Sequence, residues 1–103
     1  MPILEISILP LGTKTASVSS YVAGCIKILE KEKGIKYQIT PMGTIIEAKS
    51  LRKLFRIAEK MHKEVLSCVD RVVTTIKIDD RKDKELTMAG KISSVEKKLK
   101  ILK

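Results

Sequence analysis

The spacing of apolar residues changes along this chain in an order that few folds can accommodate. Ile3-Leu4-Glu5-Ile6-Ser7-Ile8-Leu9 alternates, with Leu4, Ile6 and Ile8 on one side and Glu5 and Ser7 on the other. A period of two marks a strand with one buried face, and Pro10-Leu11-Gly12-Thr13 is expected to end it. From Ser17 to Lys33 the spacing turns helical: Val18, Val22, Ile26 and Leu29 share a face, with Cys25 beside them. Ser17 is the expected N-cap, and Gly34 followed by Ile35 the expected stop.

Ile35 to Ala48 reads as a hairpin. With Met42-Gly43 at the centre of the turn, Thr40 faces Ile45, Ile39 faces Ile46 and Gln38 faces Glu47, so that apolar and polar residues separate onto opposite faces. Ser50 then caps a second helix running to about Ser67. Its apolar stripe is Leu51, Leu54, Ala58, Met61 and Val65, flanked by a second line of Phe55, His62 and Leu66. Arg71 to Asp79 alternates again, with Val72, Thr74, Ile76 and Ile78 on one side and Val73, Thr75 and Lys77 on the other. After a charged turn, Ile92, Val95, Leu99 and Leu102 mark a terminal amphipathic helix from about Ala89, with Thr87 as its cap.

The order βαββαβ plus a helix predicts an α+β fold, a ferredoxin-like sandwich. Its four-stranded antiparallel sheet carries both long helices on one face. The 103 residues are expected to form one domain, 1–103. A core of that size is limited, and together with the wide stripe of the second helix it predicts self-association.

Helices on one face leave the other open. The residues pointing that way are Glu5, Ser7, Gln38, Thr40, Ile45, Glu47, Val73, Thr75 and Lys77. A polar small molecule needs a few convergent donors and acceptors among apolar atoms, and this set supplies them. An ordinary half-wet sheet face and a subunit interface are the competing readings. Glu47 is expected near the middle of this face, within reach of Glu5 and Ser7, with Lys77 or a ligand amine as its partner.

Equipment for catalysis does not stand out. Glu5 and Glu47 lie on neighbouring strands, but a carboxylate pair with no nucleophile, metal or second base is thin material for acid–base chemistry. His62, the one histidine, sits on a helix away from the open face. Gly12-Thr13-Lys14-Thr15 resembles the end of a phosphate loop, yet Ser7 stands where its first glycine belongs. Cys25 and Cys68 are far apart and read as two buried thiols. No metal-ligand spacing occurs, and no cofactor is called for.

The formal charge is +9, with lysines such as Lys91, Lys97, Lys98, Lys100 and Lys103 spread over helix faces and the C-terminus. Such interspersed charge reads as solvated surface. RNA-recognition modules on this fold stack bases on aromatic residues of the open sheet. Here Tyr21, Tyr37 and Phe55 all fall elsewhere, which leaves at most weak, non-specific nucleic-acid binding. No apolar run approaches the ~20 residues of a membrane span, and Met1-Pro2-Ile3-Leu4-Glu5 lacks a basic leader, so a cytoplasmic protein is expected.

Three stretches carry a likeness. They are Glu5-Ile6-Ser7-Ile8-Leu9-Pro10-Leu11-Gly12-Thr13, then Tyr37-Gln38-Ile39-Thr40-Pro41-Met42-Gly43-Thr44-Ile45-Ile46-Glu47, then Arg71-Val72-Val73-Thr74-Thr75-Ile76-Lys77-Ile78-Asp79-Asp80-Arg81, with Lys91 and Ser94-Val95-Glu96 beyond. Across nearly its whole length the chain resembles a family of small archaeal, bacterial and fungal proteins described as thiamine-binding. The resemblance implies a ferredoxin-like fold and a homo-oligomer, a tetramer built from dimers through the sheets. It also implies non-enzymatic binding of thiamine or its hydroxymethylpyrimidine part. Ser7, Thr40, Thr44 and Thr75 offer hydroxyls to an aminopyrimidine, and Glu5 or Glu47 a carboxylate to its amine or to the thiazolium charge. The alternative is an interaction module whose sheet face is only a subunit interface.

Overall fold

Four strands hydrogen-bond in the order β2-β3-β1-β4, every neighbouring pair antiparallel. They are β1 (Ile3–Leu11), β2 (Lys36–Thr40), β3 (Gly43–Glu47) and β4 (Arg71–Asp79). Between and after them come α1 (Ser19–Lys31), α2 (Leu51–Leu66) and α3 (Met88–Leu102). This is the ferredoxin-like α+β arrangement with a C-terminal helix. The computed structural model describes residues 1–102; Lys103 lies outside the described residues.

The core fills the space between one sheet face and the pair α1 and α2. Leu4, Ile6 and Ile46 from the sheet meet Cys25 and Leu29 from α1 and Leu54, Ile57, Ala58, Met61 and Val65 from α2. Ile57 is fully buried while Leu51 is partly exposed, so the stripe of α2 is rotated slightly from the one read in the sequence. Phe55 and Leu66 stay exposed, and the His62 Nδ1 sits 2.7 Å from the Thr74 hydroxyl at the β4 edge. Cys25 is buried, but Cys68 is exposed, contrary to the expectation of two buried thiols, because α2 has already ended at Leu66.

Local chemistry explains most boundaries. The Ser50 hydroxyl accepts the Lys53 N–H at 3.1 Å, the expected cap of α2. Ser17 does not cap α1: its amide bonds the Thr15 hydroxyl, and the helix starts one residue after Val18 with no side-chain cap. Gly34 adopts the left-handed φ of +74°, where a side chain is strained, and turns the chain from α1 into β2. β1 runs through Pro10 to Leu11, further than the proline suggested. Beyond Ile6 only β4 pairs with β1, so Pro10 sits on a locally free edge where a missing N–H is tolerated.

The hairpin turns at Pro41-Met42, not at Met42-Gly43. Thr40 pairs with Gly43, Gln38 with Ile45 and Lys36 with Glu47. The Thr40 hydroxyl donates to the Gly43 carbonyl at 2.7 Å and accepts the Met42 and Gly43 amides, fixing the turn. A Cβ on Gly43 would come within 3.0 Å of the Ile6 carbonyl oxygen, so glycine is what lets the hairpin close against β1. Moving the turn by one residue shifts the pairing by two, which leaves every side chain on the face read from the sequence.

Candidate functional site

The register lays three rungs across the open face. One carries Gln38, Ile45, Glu5 and Lys77 across β2, β3, β1 and β4. The rung on one side carries Lys36, Glu47, Ile3 and Asp79. On the other side Thr40 and Gly43 end the hairpin, and Ser7 pairs with Thr75.

Over the first two rungs lies a hollow of 460 Å³ with Ile3 and Ile45 as apolar floor and Glu5, Gln38, Lys77 and Asp79 as polar groups. Met88, Lys91 and Ile92 of α3 wall it on one side. The Glu5 Oε1 and Lys77 Nζ are 3.8 Å apart, and both side chains are substantially exposed. Such a loose surface pair contributes little by itself, which leaves the carboxylate available to another partner.

Glu47 does something other than the sequence suggested. It ends β3 and is opposite Lys36, at the end of the sheet instead of its middle and not across from Gln38. Its side chain is 1% exposed. Its Oε1 accepts the Met88 N–H, the first of α3, at 2.6 Å. A carboxylate there satisfies an otherwise orphaned donor and faces the positive end of the helix. Two more ties fix the same turn: Thr87 caps it through the Gly90 N–H at 2.9 Å, as expected, and Lys91 pairs with Asp79. Glu47 therefore builds the wall of the hollow.

A second, smaller cavity of 170 Å³ opens where the hairpin ends and β1 continues alone. Ser7, Thr40, Gly43 and Thr44 line it together with Tyr21, Val22, Cys25, Met42, Met61 and other apolar residues. Thr44 is on the helix side of the sheet, beside Ile6, and is 5% exposed, so it does not share the open face with Glu5. The Thr40 hydroxyl is spent on its own turn. Burial, helped by the nearby Glu64 charge, pushes the Cys25 thiol up to about 11 and keeps it protonated and unreactive at neutral pH.

The structure thus brings Glu5 and Lys77 together over the hollow, and Ser7, Thr40 and Thr44 around the cavity. Thr75 stands exposed beside Ser7 but lines neither, and Glu47 is covered. The sequence reading put Gln38 on the face without giving it a role, and it missed Asp79, Lys91 and Met88. Asp79 was within reach: the alternation of β4 carried two residues beyond Lys77 puts it on the same side. By the same register Tyr37 falls on the helix side, while Tyr21 and Phe55 lie on helices, so no aromatic platform faces outward. Among the described residues no group of three or more His, Cys, Asp or Glu is placed to hold a metal ion. No described helix is long and apolar enough to cross a membrane.

The family model described as thiamine-binding protein matches residues 4–96, which takes in all four strands and the residues of both hollows except Ile3. The chain belongs to the thiamine-binding protein family. Among members of related sequence, the UPF0045 protein YqgV of Bacillus subtilis is 48% identical over 103 residues, 96% of this chain and 98% of that one. The crystal structure of the hypothetical protein MJ1052 of Methanocaldococcus jannaschii superimposes with a TM-score of 0.85 at 41% identity, covering 92% of this chain and 95% of the other. A Thermotoga maritima protein, provisionally described as one of thiamine biosynthesis or salvage, gives a TM-score of 0.74 over 91% of this chain and 97% of its own. At 18% identity that likeness speaks for the fold alone. Membership of the thiamine-binding family, on this fold, points to a small-molecule binding role.

Proposed function

We propose that the protein is a non-enzymatic carrier or sensor in the cytoplasm that binds thiamine, or its hydroxymethylpyrimidine part, on the open sheet face of a homo-oligomer. The observation that carries this reading is the 460 Å³ hollow in which Glu5, Gln38, Lys77 and Asp79 converge over Ile3 and Ile45. Its size and its mixture of apolar floor and few polar groups suit a small heteroaromatic ligand. Glu5 accepts from the exocyclic amine or faces the thiazolium, Gln38 offers both a donor and an acceptor, and Ser7 and Thr75 extend the polar row. The overall charge of +9 repels a cation and Asp79 is engaged by Lys91, so the cation's partner is Glu5, whose pair with Lys77 is loose. Glu47 acts at one remove, by holding α3 in place.

Assembly into a tetramer built from dimers is part of the same proposal, with the whole chain acting as one domain. It is supported by α3, whose Ile92, Val95 and Leu99 are each more than half exposed although they form one apolar stripe. Native mass spectrometry after incubation with thiamine tests both parts at once. The expected spectrum is a multimer retaining thiamine. A multimer that retains nothing favours the interaction-module reading, and a bare monomer contradicts the proposal altogether.

A further inference from the structure

The smaller cavity lies on the helix side of the sheet, and its chemistry differs from that of the open-face hollow. Glu5, Lys77, Asp79 and Lys91 line the hollow, whereas no residue lining the cavity carries a charge. The cavity walls come from Ile8, Val18, Val22, Met61 and Val65, with Tyr21 as the aromatic member. A dry apolar cavity of about 150 Å³ admits a benzene ring, and this one measures 170 Å³. A charged guest would be buried there without a counter-charge, at high cost, so the space selects an uncharged one.

Polar groups without a protein partner converge on the same space. Thr44 is 5% exposed, and its hydroxyl makes no hydrogen bond among the described residues. No fully enclosed side-chain polar atom lacks a partner, so this hydroxyl opens onto the cavity it lines. The backbone of Ile8 adds a donor and an acceptor. The Ala48 N–H bonds the Pro2 carbonyl at 3.4 Å, and in an antiparallel ladder such bonded pairs recur at every second residue. Pro2, Leu4, Ile6 and Ile8 therefore turn their backbone groups toward the hairpin. Pairing with β3 stops at Ile6, which leaves the Ile8 N–H and carbonyl without a strand partner at the cavity. The other polar side chains are engaged: the Thr40 hydroxyl in its own turn, and the Cys25 thiol with the Met61 carbonyl at 3.6 Å. Unmet groups in apolar surroundings are costly, and a guest that brings one hydroxyl relieves them.

We propose that this cavity is a second binding site, separate from the open face, for an uncharged aromatic ring that carries one hydrogen-bonding group, the chemistry of a phenol. The inference stands apart from the thiamine reading, because it shares no residue with the hollow and takes a guest of different charge. The ring fills the apolar space between the helices and β1, and its hydroxyl bonds the Thr44 side chain and the free edge of Ile8.

The methionines make the test direct, because Met42 and Met61 line the cavity and Met88 lines the hollow. Protein labelled with ¹³C at the methionine methyls is titrated with phenol, with toluene and with benzoate. Phenol and toluene are expected to shift Met42 and Met61 and leave Met88 in place, and benzoate, a ring of the same kind with a charge, to shift neither. Thr44→Val keeps the shape and removes the hydroxyl. It is expected to weaken phenol by about threefold to tenfold, the loss of one hydrogen bond, and to bind toluene as the wild type does, which shows the cavity intact. Absence of any Met61 shift with phenol, a shift of Met88 in its place, or benzoate binding as well as phenol overturns the site. Equal phenol affinity in Thr44→Val and wild type overturns the role of the hydroxyl in choosing the guest. None of these outcomes bears on whether thiamine binds the open face.

Discussion

The two faces of the sheet are built from the same strands and do different work. On the helix side, Leu4, Ile6 and Ile46 are almost fully buried against α1 and α2. On the other side, Ser7 and Lys77 are exposed, Leu9 and Val73 are about half exposed, and the start of α3 borders the face through Met88, Lys91 and Ile92. Alternation at period two makes this division possible: neighbouring residues in one strand belong to different environments. Stability is concentrated on one face, which leaves the other free to carry groups chosen for recognition. Glu47 sits at the boundary, a buried carboxylate on the functional side whose task is structural.

Substitutions can sharpen or break that division. The largest effect is expected on the helix side. Leu54 is fully buried in α2, and Leu54→Ala should lower unfolding free energy by about 2–5 kcal/mol, through lost burial and the cavity left behind. Urea unfolding measures it, and a cost below about 1 kcal/mol would mean that the core is not where the packing puts it.

Glu47→Gln should cost less, about 1–2 kcal/mol, since it keeps an acceptor for the Met88 N–H but removes the charge at the helix start. Hydrogen exchange should show the first turn of α3 losing protection while α1 and α2 keep theirs. Uniform loss across the fold would show that Glu47 belongs to the core and not to the wall of the hollow.

The helix layer also contains a pH-sensitive tie. Glu32, at the end of α1, bonds Lys60 and Arg56 of α2 at 2.9 and 3.1 Å. The bond from Lys60 above all, with that from Arg56, holds its carboxyl below the ordinary value of 4.5. A group whose folded value is depressed adds stability above the unfolded value and loses it as pH falls. Stability should therefore decline as pH drops below about 4.5, and Glu32→Gln should flatten part of that decline in melting curves taken from pH 7 to pH 3. An unchanged acid slope in the variant would remove Glu32 from the account.

The smallest perturbation is chemical. Iodoacetamide at pH 8 should label Cys68, which is exposed, and spare Cys25, which is buried with its thiol at about 11. Peptide mass mapping of the native protein reads this directly. Equal labelling would mean that the helix face opens readily.

Much of this was legible in the sequence, for a physical reason. Face assignment depends only on parity along each strand, so Glu5, Gln38, Ile45, Thr75 and Lys77 were placed correctly even though the hairpin turn was read one residue too late. The turn itself was harder, because what fixes it is the Thr40 hydroxyl bonding across Pro41-Met42, a contact that turn propensity does not announce. Ile57 was recoverable: it lies three residues after Leu54 and four before Met61, on the same helical stripe. Glu47 was not. Its burial depends on α3 returning to the end of β3, a contact between residues 41 apart in sequence, and no local pattern encodes where a terminal helix docks. Thr44 is the opposite case, since its parity with Ile46 alone puts it on the helix side, where it lines the smaller cavity.

The central claim is that the exposed acid of the open face, Glu5, holds the ligand without helping to hold the fold. Calorimetric titration of thiamine into wild type and Glu5→Gln, with melting curves of both, tests it most directly. The account predicts binding to the wild type, about tenfold weaker binding to the variant, the loss expected for a charge-assisted contact, and melting temperatures that agree. Equal thiamine affinity in the two proteins, at equal stability, would contradict it.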